Sequence, residues 1–244
     1  MLPCYNEELN IESLILKWEE QRELLSENGY TLNIIVINDC STDNTAKIAI
    51  KYANEIDGVL LINHKSNKGL SGGINTALSF FIENGDEGDL MCFMDGDDTH
   101  DPKYIHRMIH EIENSFDCVI ASRYCSDSET VGIPKYRELL SNLAKYYYKI
   151  LLNIPGVKDY TCGYRVYNYN IIKKLVDKFG SEPVKEKSFA CMMEFLYKLY
   201  VVEAKFNEVG FTLRYDNKEG DSKMNVSNTA LNSIKSAVNL KRIR

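Results

Sequence analysis

The 244-residue sequence lacks any run approaching 18 uninterrupted apolar residues and so offers no membrane-spanning helix. Its start, MLPCYNEELN, lacks a basic and then apolar leader, so the protein is expected to be made and kept in the cytosol. The seven cysteines have no CxxC pairs and no histidines at metal spacing. This argues against zinc and against a disulfide framework, and for reduced thiols that serve as core filler. No low-complexity linker is present, so a chain with 44% hydrophobic content is expected to fold as one domain, residues 1–244, with a full core. Positive charge is scarce except at the end. Residues 205–244 hold eight Lys or Arg against four acids, a balance of +4 within a total of −6, which leaves −10 for the rest. A basic end suits an anionic partner, whereas an acidic body argues against nucleic acid.

Alternating strand and helix signals fill the body. Residues 7–27 place Ile11, Leu14, Ile15, Trp18, Leu24 and Leu25 at helical spacing, and Gly29 can supply a left-handed stop. LNIIVIN, GVLLIN, DLMCFM and FDCVIAS are expected strands. Between them, CSTDNT offers Ser41 or Thr42 as a helix cap, LSGGINTALSFFIENG is a helix, and Asp101 and Pro102 stand as N-cap and N1 of another. Four alternations imply an α/β fold with a largely parallel sheet between helices. Ligands of such sheets bind outside the carboxyl ends of the strands. NDCSTD, DGDD and SRY follow three of the strands, which would bring Asp39, Asp95, Asp97 and Arg123 to one rim.

The segment LMCFMDGDDTHDP raises a charge problem, because Asp95, Asp97, Asp98 and Asp101 lie within seven positions. Carboxylates that close repel unless a cation or water offsets them. An EF-hand loop starting at Asp95 needs Gly at its sixth position and Glu at its twelfth, where this chain has His100 and His106. Asp95, Asp97 and Thr99 also match the DxDxT of haloacid dehalogenase phosphatases. That family carries the motif near the start of the chain and adds a late pair of acids, for which GDSKMNV is a poor match. The remaining pattern is the DxD of nucleotide-sugar transferases, in which hard oxygen ligands hold Mg2+ or Mn2+ against a diphosphate and stabilise the leaving group. Gly96 between the acids permits close approach of the ligand.

LPCYNEE, VINDCSTDNT, NKGLSGGINTAL, MDGDDTHDP, VIASRY, DYTCGYRVY and LRYDNKEGDSKM follow one another in the order of their counterparts in family-2 GT-A glycosyltransferases. From Leu2 to about Val226 the chain resembles the branch of dolichol-phosphate mannose synthases and bacterial polyprenyl-phosphate glycosyltransferases. The resemblance implies a single GT-A, Rossmann-like domain that uses a UDP- or GDP-sugar. It implies that Pro3, Tyr5 and Glu7 line the base and ribose, with Ile37 and Asp39 beside them. Asp95 and Asp97 would meet the metal and the diphosphate, with the Gly96 backbone close by, and Arg123, Arg214 and Lys223 would contact phosphate oxygens. Three departures stand out. The family's DDGS is Asn38, Asp39, Cys40, Ser41 here, which leaves Asp39 to act alone in a stiffer turn. The spacing from Arg214 to Lys223 is long, so Lys218 is a candidate for one phosphate contact. Only Met1 and Leu2 precede PCYNEE, so the first strand is expected to be cut short and the natural start to lie upstream.

A lipid phosphate acceptor is already ionised at neutral pH and needs no general base, unlike a hydroxyl. No ED followed by QxxRW, the signature of processive polysaccharide synthases, is present. The expected reaction is therefore metal-dependent, inverting sugar transfer to a polyprenyl phosphate, with Asp95, Asp97 and Arg214 carrying the chemistry. Transfer to a hydroxyl of a glycan or protein and non-catalytic binding of a nucleotide sugar are the alternatives. Glu194 matches a family acid on a helix facing the site, and the alternative for an acid on an otherwise apolar helix is pairing with a phosphate-binding Arg. Residues 135–153 form an amphipathic helix widened by Tyr146, Tyr148 and Leu152 and flanked by Lys135, Arg137, Lys145 and Lys149. Such a helix suits either a membrane interface or the core, and the NLKRIR tail adds attraction to anionic lipid.

Overall fold

The structure is a computed structural model and describes residues 1–133, 135–188 and 190–216. Its first half alternates as the periodicity requires. Strands β1 (Leu2–Cys4), β2 (Ile34–Asn38) and β3 (Val59–Asn63) form a parallel sheet in that order, with Pro3 opposite Ile37 and Cys4 opposite Asn38. Every residue of β2 is buried, as befits a β-branched run covered on both faces. Helices α1 (Ile11–Glu19) and α2 (Arg22–Glu27) lead into β2, α3 (Thr45–Glu55) into β3, and α4 (Gly69–Asn84) into β4 (Leu90–Phe93). The ends of β1 and β4 are tied together, since the Met1 amino group donates to the Cys92 carbonyl at 2.7 Å and the Met94 amide to the Met1 carbonyl at 3.1 Å.

The second sheet is mixed. After a 3-10 turn at Pro102–Tyr104 come α5 (Ile105–Glu113), β5 (Cys118–Ser122), β6 (Glu129–Val131) and α6 (Lys135–Leu152). The chain then returns through β7 (Arg165–Asn168) and α7 (Tyr169–Phe179) to α8 (Cys191–Val201), β8 (Phe206–Gly210) and β9 (Thr212–Arg214). The order is β4-β7-β5-β8, with β7 antiparallel to both neighbours and β8 parallel to β5, while β6 and β9 form a parallel pair of their own. The expected parallel sheet is thus interrupted by one reversed strand. Arg165 on β7 is fully buried, and its guanidinium donates to the carbonyls of Tyr160 and Met192, which straps the start of α8 to the chain ahead of β7.

Helices cover the sheets in groups: α1 packs on α3, α4 packs on α7 and α8, and α5 lies over β5, β7 and β8. The core they enclose includes Ile11, Leu14, Ile15, Trp18, Ile74, Leu78, Met108, Ile172 and Leu196. None of the seven cysteines is in a disulfide, and Cys4, Cys118, Cys162 and Cys191 are buried among these side chains.

Three local expectations change. The single helix over 7–27 is two helices, closed after Trp18 by a three-residue hydrogen bond from the Gln21 amide. Ser41 and Thr42 do not cap α3. Asn44 occupies the N-cap position, while the Asp43 carboxylate accepts from the amide and hydroxyl of Thr45. Asp101 does cap as expected, its carboxylate accepting from the Lys103 amide, but the turn it caps is 3-10 and precedes α5.

Candidate active site

Strand ends deliver the polar motifs to one rim, and close backbone approach holds them there. A Cβ on Gly96 would lie 2.4 Å from the Cys4 sulfur and 2.9 Å from the Pro3 carbonyl, so the DGD turn sits directly on the end of β1. A Cβ on Gly163 would lie 2.7–2.9 Å from the Asp95 carboxylate, so only glycine leaves that acid room. Burial pushes the Cys191 thiol at the start of α8 up to about 12, and the nearby Asp95 charge adds to the rise. Asp97 accepts from the hydroxyl of Thr99 at 2.7 Å, and the Thr99 carbonyl accepts from the Arg214 amide at 3.1 Å. Arg214 thereby stands beside the acidic loop, its exposed guanidinium bidentate to Asp216. His100, stacked on Phe211 and within 3.5 Å of the Cys162 sulfur, anchors the loop from below.

The charge problem posed by four aspartates is solved locally for two of them. Asp98, left-handed at φ +58°, takes two contacts of 2.7–2.8 Å from Lys17 and one from Ser13. Asp101 caps its turn and pairs with Lys103 at 2.8 Å. The sequence argument gave the metal to Asp95 and Asp97 alone, and the structure supplies Asp98 and Asp101 with cations of their own, Lys17 and Lys103. Among the described residues no set of three or more His, Cys, Asp or Glu is arranged to hold a metal. An ion seated here would therefore draw two carboxylates from the chain and its remaining ligands from substrate and water, which suits a hard cation such as Mg2+ or Mn2+.

The nucleotide-side candidates fall on β1, β2 and the turns after them. Pro3 pairs with Ile37, whose side chain is wholly buried and supports the strand end from the core. Tyr5 is 39% exposed, whereas Glu7 is buried and accepts from Asn10. Asp39 is also buried. Its oxygens accept from the amides of Lys68 and Gly69, the first of α4, and contact His64 Nδ1 at 2.7 Å, while His64 Nε2 reaches Thr76. The carboxylate therefore caps the helix that begins at the rim. Cys40, in the place where glycine was the expected residue, adopts φ +61°, which confirms that the turn asks for a left-handed residue.

Arg123 is held in a fork. Its Nε and Nη2 donate to Asp159 at 2.7 and 2.6 Å, its amide donates to the same carboxylate, and Nη2 also reaches Thr161. Tyr124 follows, its ring 5.5 Å from the Arg123 guanidinium and 4.2 Å from the Lys145 ammonium, with its hydroxyl on Ser141 of α6. Sequence reasoning quoted DYTCGYRVY without assigning Asp159 or Gly163 a role. The clue was the Asp and Gly flanking a turn just ahead of the strand RVYN. Glu194 is committed elsewhere, to Lys198 at 2.6 Å and to the amides of Lys185 and Glu186. Lys218 and Lys223, with the NLKRIR tail, lie outside the described residues.

The chain is similar to known proteins in sequence and fold. The family model described as glycosyl transferase family 2 matches residues 1–176. The undecaprenyl-phosphate mannosyltransferase of Micrococcus luteus is 26% identical over 224 residues, covering 92% of this chain and 86% of its own. The dolichol-phosphate mannosyltransferase of Pyrococcus furiosus is 30% identical over 225 residues, covering 92% and 58%. Among solved structures, glucosyl-3-phosphoglycerate synthase of Mycobacterium tuberculosis, crystallised with Mn2+, UDP and glucosyl-3-phosphoglycerate, superposes with a TM-score of 0.66 at 16% identity over 97% of this chain and 76% of that one. These likenesses place the fold among GT-A proteins. The chain belongs to glycosyl transferase family 2, and the protein is a glycosyltransferase.

Proposed function

We propose that this protein transfers a sugar from a nucleoside-diphosphate sugar to a polyprenyl phosphate, with inversion and with Mg2+ or Mn2+, at the cytosolic face of a membrane. The observation that carries the reading is the convergence of Asp95, Gly96 and Asp97 with the end of β1, the bare backbone of Gly163 and the Arg214 strand. Pro3, Tyr5 and Glu7 form the wall for base and ribose, and Asp39 serves it by fixing the start of α4. Asp95 and Asp97 hold the metal, which when bound supplies positive charge against the departing diphosphate. Arg214, released from Asp216 to the substrate, adds a second cation there, and Lys223 or Lys218 a third.

Support for a phosphate acceptor comes from the other end of the site. Arg123 and Lys145 bring two cations within 5.5 and 4.2 Å of one tyrosine ring, that of Tyr124, beside the middle of α6. Leu143, Tyr146 and Ile150 on that helix are 59%, 61% and 81% exposed, an apolar stripe on the same helix as Lys145. A lipid phosphate fits both parts: the head between Arg123 and Lys145, the chain along α6, and the helix at the interface. No described helix is long and apolar enough to cross a membrane. The acceptor oxygen is ionised at neutral pH, so transfer requires only alignment and charge, and the commitment of Glu194 to Lys198 is no obstacle. A panel of UDP- and GDP-sugars with Mn2+, read by thermal stabilisation, identifies the donor. Incubation of that donor with undecaprenyl phosphate should then yield a lipid-linked sugar. Turnover on a glycan hydroxyl with no lipid product would overturn the proposal.

A further inference from the structure

Strand β8 is an edge strand of the mixed sheet among the described residues, and the cleft of about 550 Å3 along it is lined in part by Arg107, His110, Cys125, Lys158 and Glu208. The mechanism uses none of these groups. Glu208 nevertheless turns inward from the cleft. Its Oε1 accepts from the amides of Lys158 and Asp159, both at 2.6 Å, while Oε2 is buried without a hydrogen-bond partner among the described residues. Burial raises this carboxyl above its ordinary value, the mark of an acid kept for its geometry at an electrostatic cost.

The two amides open the turn that shapes Asp159. That side chain is completely buried and accepts from the amides of Thr161 and Cys162 as well as from the amide, Nε and Nη2 of Arg123. A continuous chain of short contacts thus runs from the sheet edge to the rim: Glu208 pins the turn, the turn aims Asp159, and Asp159 fixes the plane of the Arg123 guanidinium. Because a guanidinium donates in a rigid planar fork, tilting Asp159 tilts the donors that remain for a phosphate.

We propose that Glu208 is a positioning residue for the acceptor phosphate, acting through Asp159 on Arg123 without touching substrate. The inference rests on the reading of Arg123 as a phosphate contact given above. The deciding experiment measures transfer to undecaprenyl phosphate by wild type, Glu208→Ala, Glu208→Gln, Arg123→Met and the double variant Glu208→Ala/Arg123→Met. Glu208→Ala should raise the acceptor KM about tenfold with kcat and donor KM little changed, since it weakens one binding contact rather than the reacting centre. Glu208→Gln, whose amide oxygen still accepts from both N–H groups, should restore the KM to within about twofold of wild type. In the Arg123→Met background Glu208→Ala should add less than twofold, because two residues acting through one contact are not additive. Should Glu208→Ala fail to fold, Glu208→Asp, which withdraws the acceptor by one methylene, takes its place with the same KM expected to rise.

An equal KM rise in both backgrounds, or a fall in kcat alone alongside the melting temperature, would overturn the proposal. If Arg123→Met itself leaves the acceptor KM unchanged, the assignment of Arg123 fails and the relay loses its endpoint. If Arg123→Met raises it and Glu208→Ala does not, only the relay fails.

Discussion

Replacing Asp159 with Asn tests whether the Arg123 fork is a folded-state ion pair of real strength. Burial alone would raise the Asp159 carboxyl, but the Arg123 charge and its hydrogen bonds, with those of the turn, more than offset it and hold the group at about 2 against an ordinary 3.8. A carboxyl lowered in the folded state contributes stability that is fully present above the unfolded value and is lost as pH falls through the folded one. For this separation the contribution is ~2.4 kcal/mol at pH 7 and ~1.3 kcal/mol at pH 3. Leaving a buried charge unpaired costs about 3–5 kcal/mol, but Arg123 is 19% exposed, so water can relieve part of the loss and the lower figure applies. For a chain of this length ~2.4 kcal/mol lowers Tm by about 5–10 °C. Thermal unfolding followed by circular dichroism should show that drop for Asp159→Asn at pH 7 and roughly half of it at pH 3. A drop below about 2 °C at pH 7, or an equal drop at both pH values, would refute the ion-pair argument.

Gly163→Ala would place a methyl carbon within 3 Å of the Asp95 carboxylate, so the concentration of Mn2+ that half-saturates transfer should rise by about tenfold or more while Tm moves by only a few degrees; an unchanged metal titration would contradict the placement. Lys17→Met removes the cation that offsets Asp98, and because Lys17 is partly exposed the cost should be only about 1 kcal/mol, seen as a Tm lower by roughly 2–4 °C. Activity at saturating Mn2+ should persist, and its loss would show that the Lys17–Asp98 pair serves the reaction as well as the fold. Replacing both Leu143 and Ile150 with Ser should weaken sedimentation with anionic phospholipid vesicles by at least about tenfold, given ~1.5–3 kcal/mol for burial of each aliphatic side chain. Unchanged sedimentation would remove α6 from the membrane reading.

The parts of this fold that follow from local pattern were legible in the sequence. The buried β-branched run of β2, the helix over Gly69–Asn84 and the Asp101 cap follow from side chains that each fix their own neighbourhood. Strand β7 was not legible, because its reversed insertion between β4 and β5 is decided by pairing across more than 40 residues, and RVYN carries no sign of direction. The rim was legible as a cluster because α/β sheets collect ligands at strand ends. The partner of Asp98 was not, since Lys17 lies 81 positions away and nothing in the local spacing announces their contact. Asp159 escaped for the same reason: its partner Arg123 is 36 residues away and reads alone as a phosphate ligand. Asp39 shows the converse case, a residue correctly brought to the rim whose carboxylate is occupied by the backbone of α4 and by His64.

The most direct test of the central claim compares sugar transfer to undecaprenyl phosphate by the wild type and the Asp95→Ala/Asp97→Ala variant across a Mn2+ titration. The account predicts that wild-type turnover rises and saturates with the metal, and that the double variant is folded but slower by about a hundredfold or more, ~2.7 kcal/mol of lost stabilisation of the leaving diphosphate. A double variant that binds the donor and turns over like the wild type at every Mn2+ concentration would contradict it.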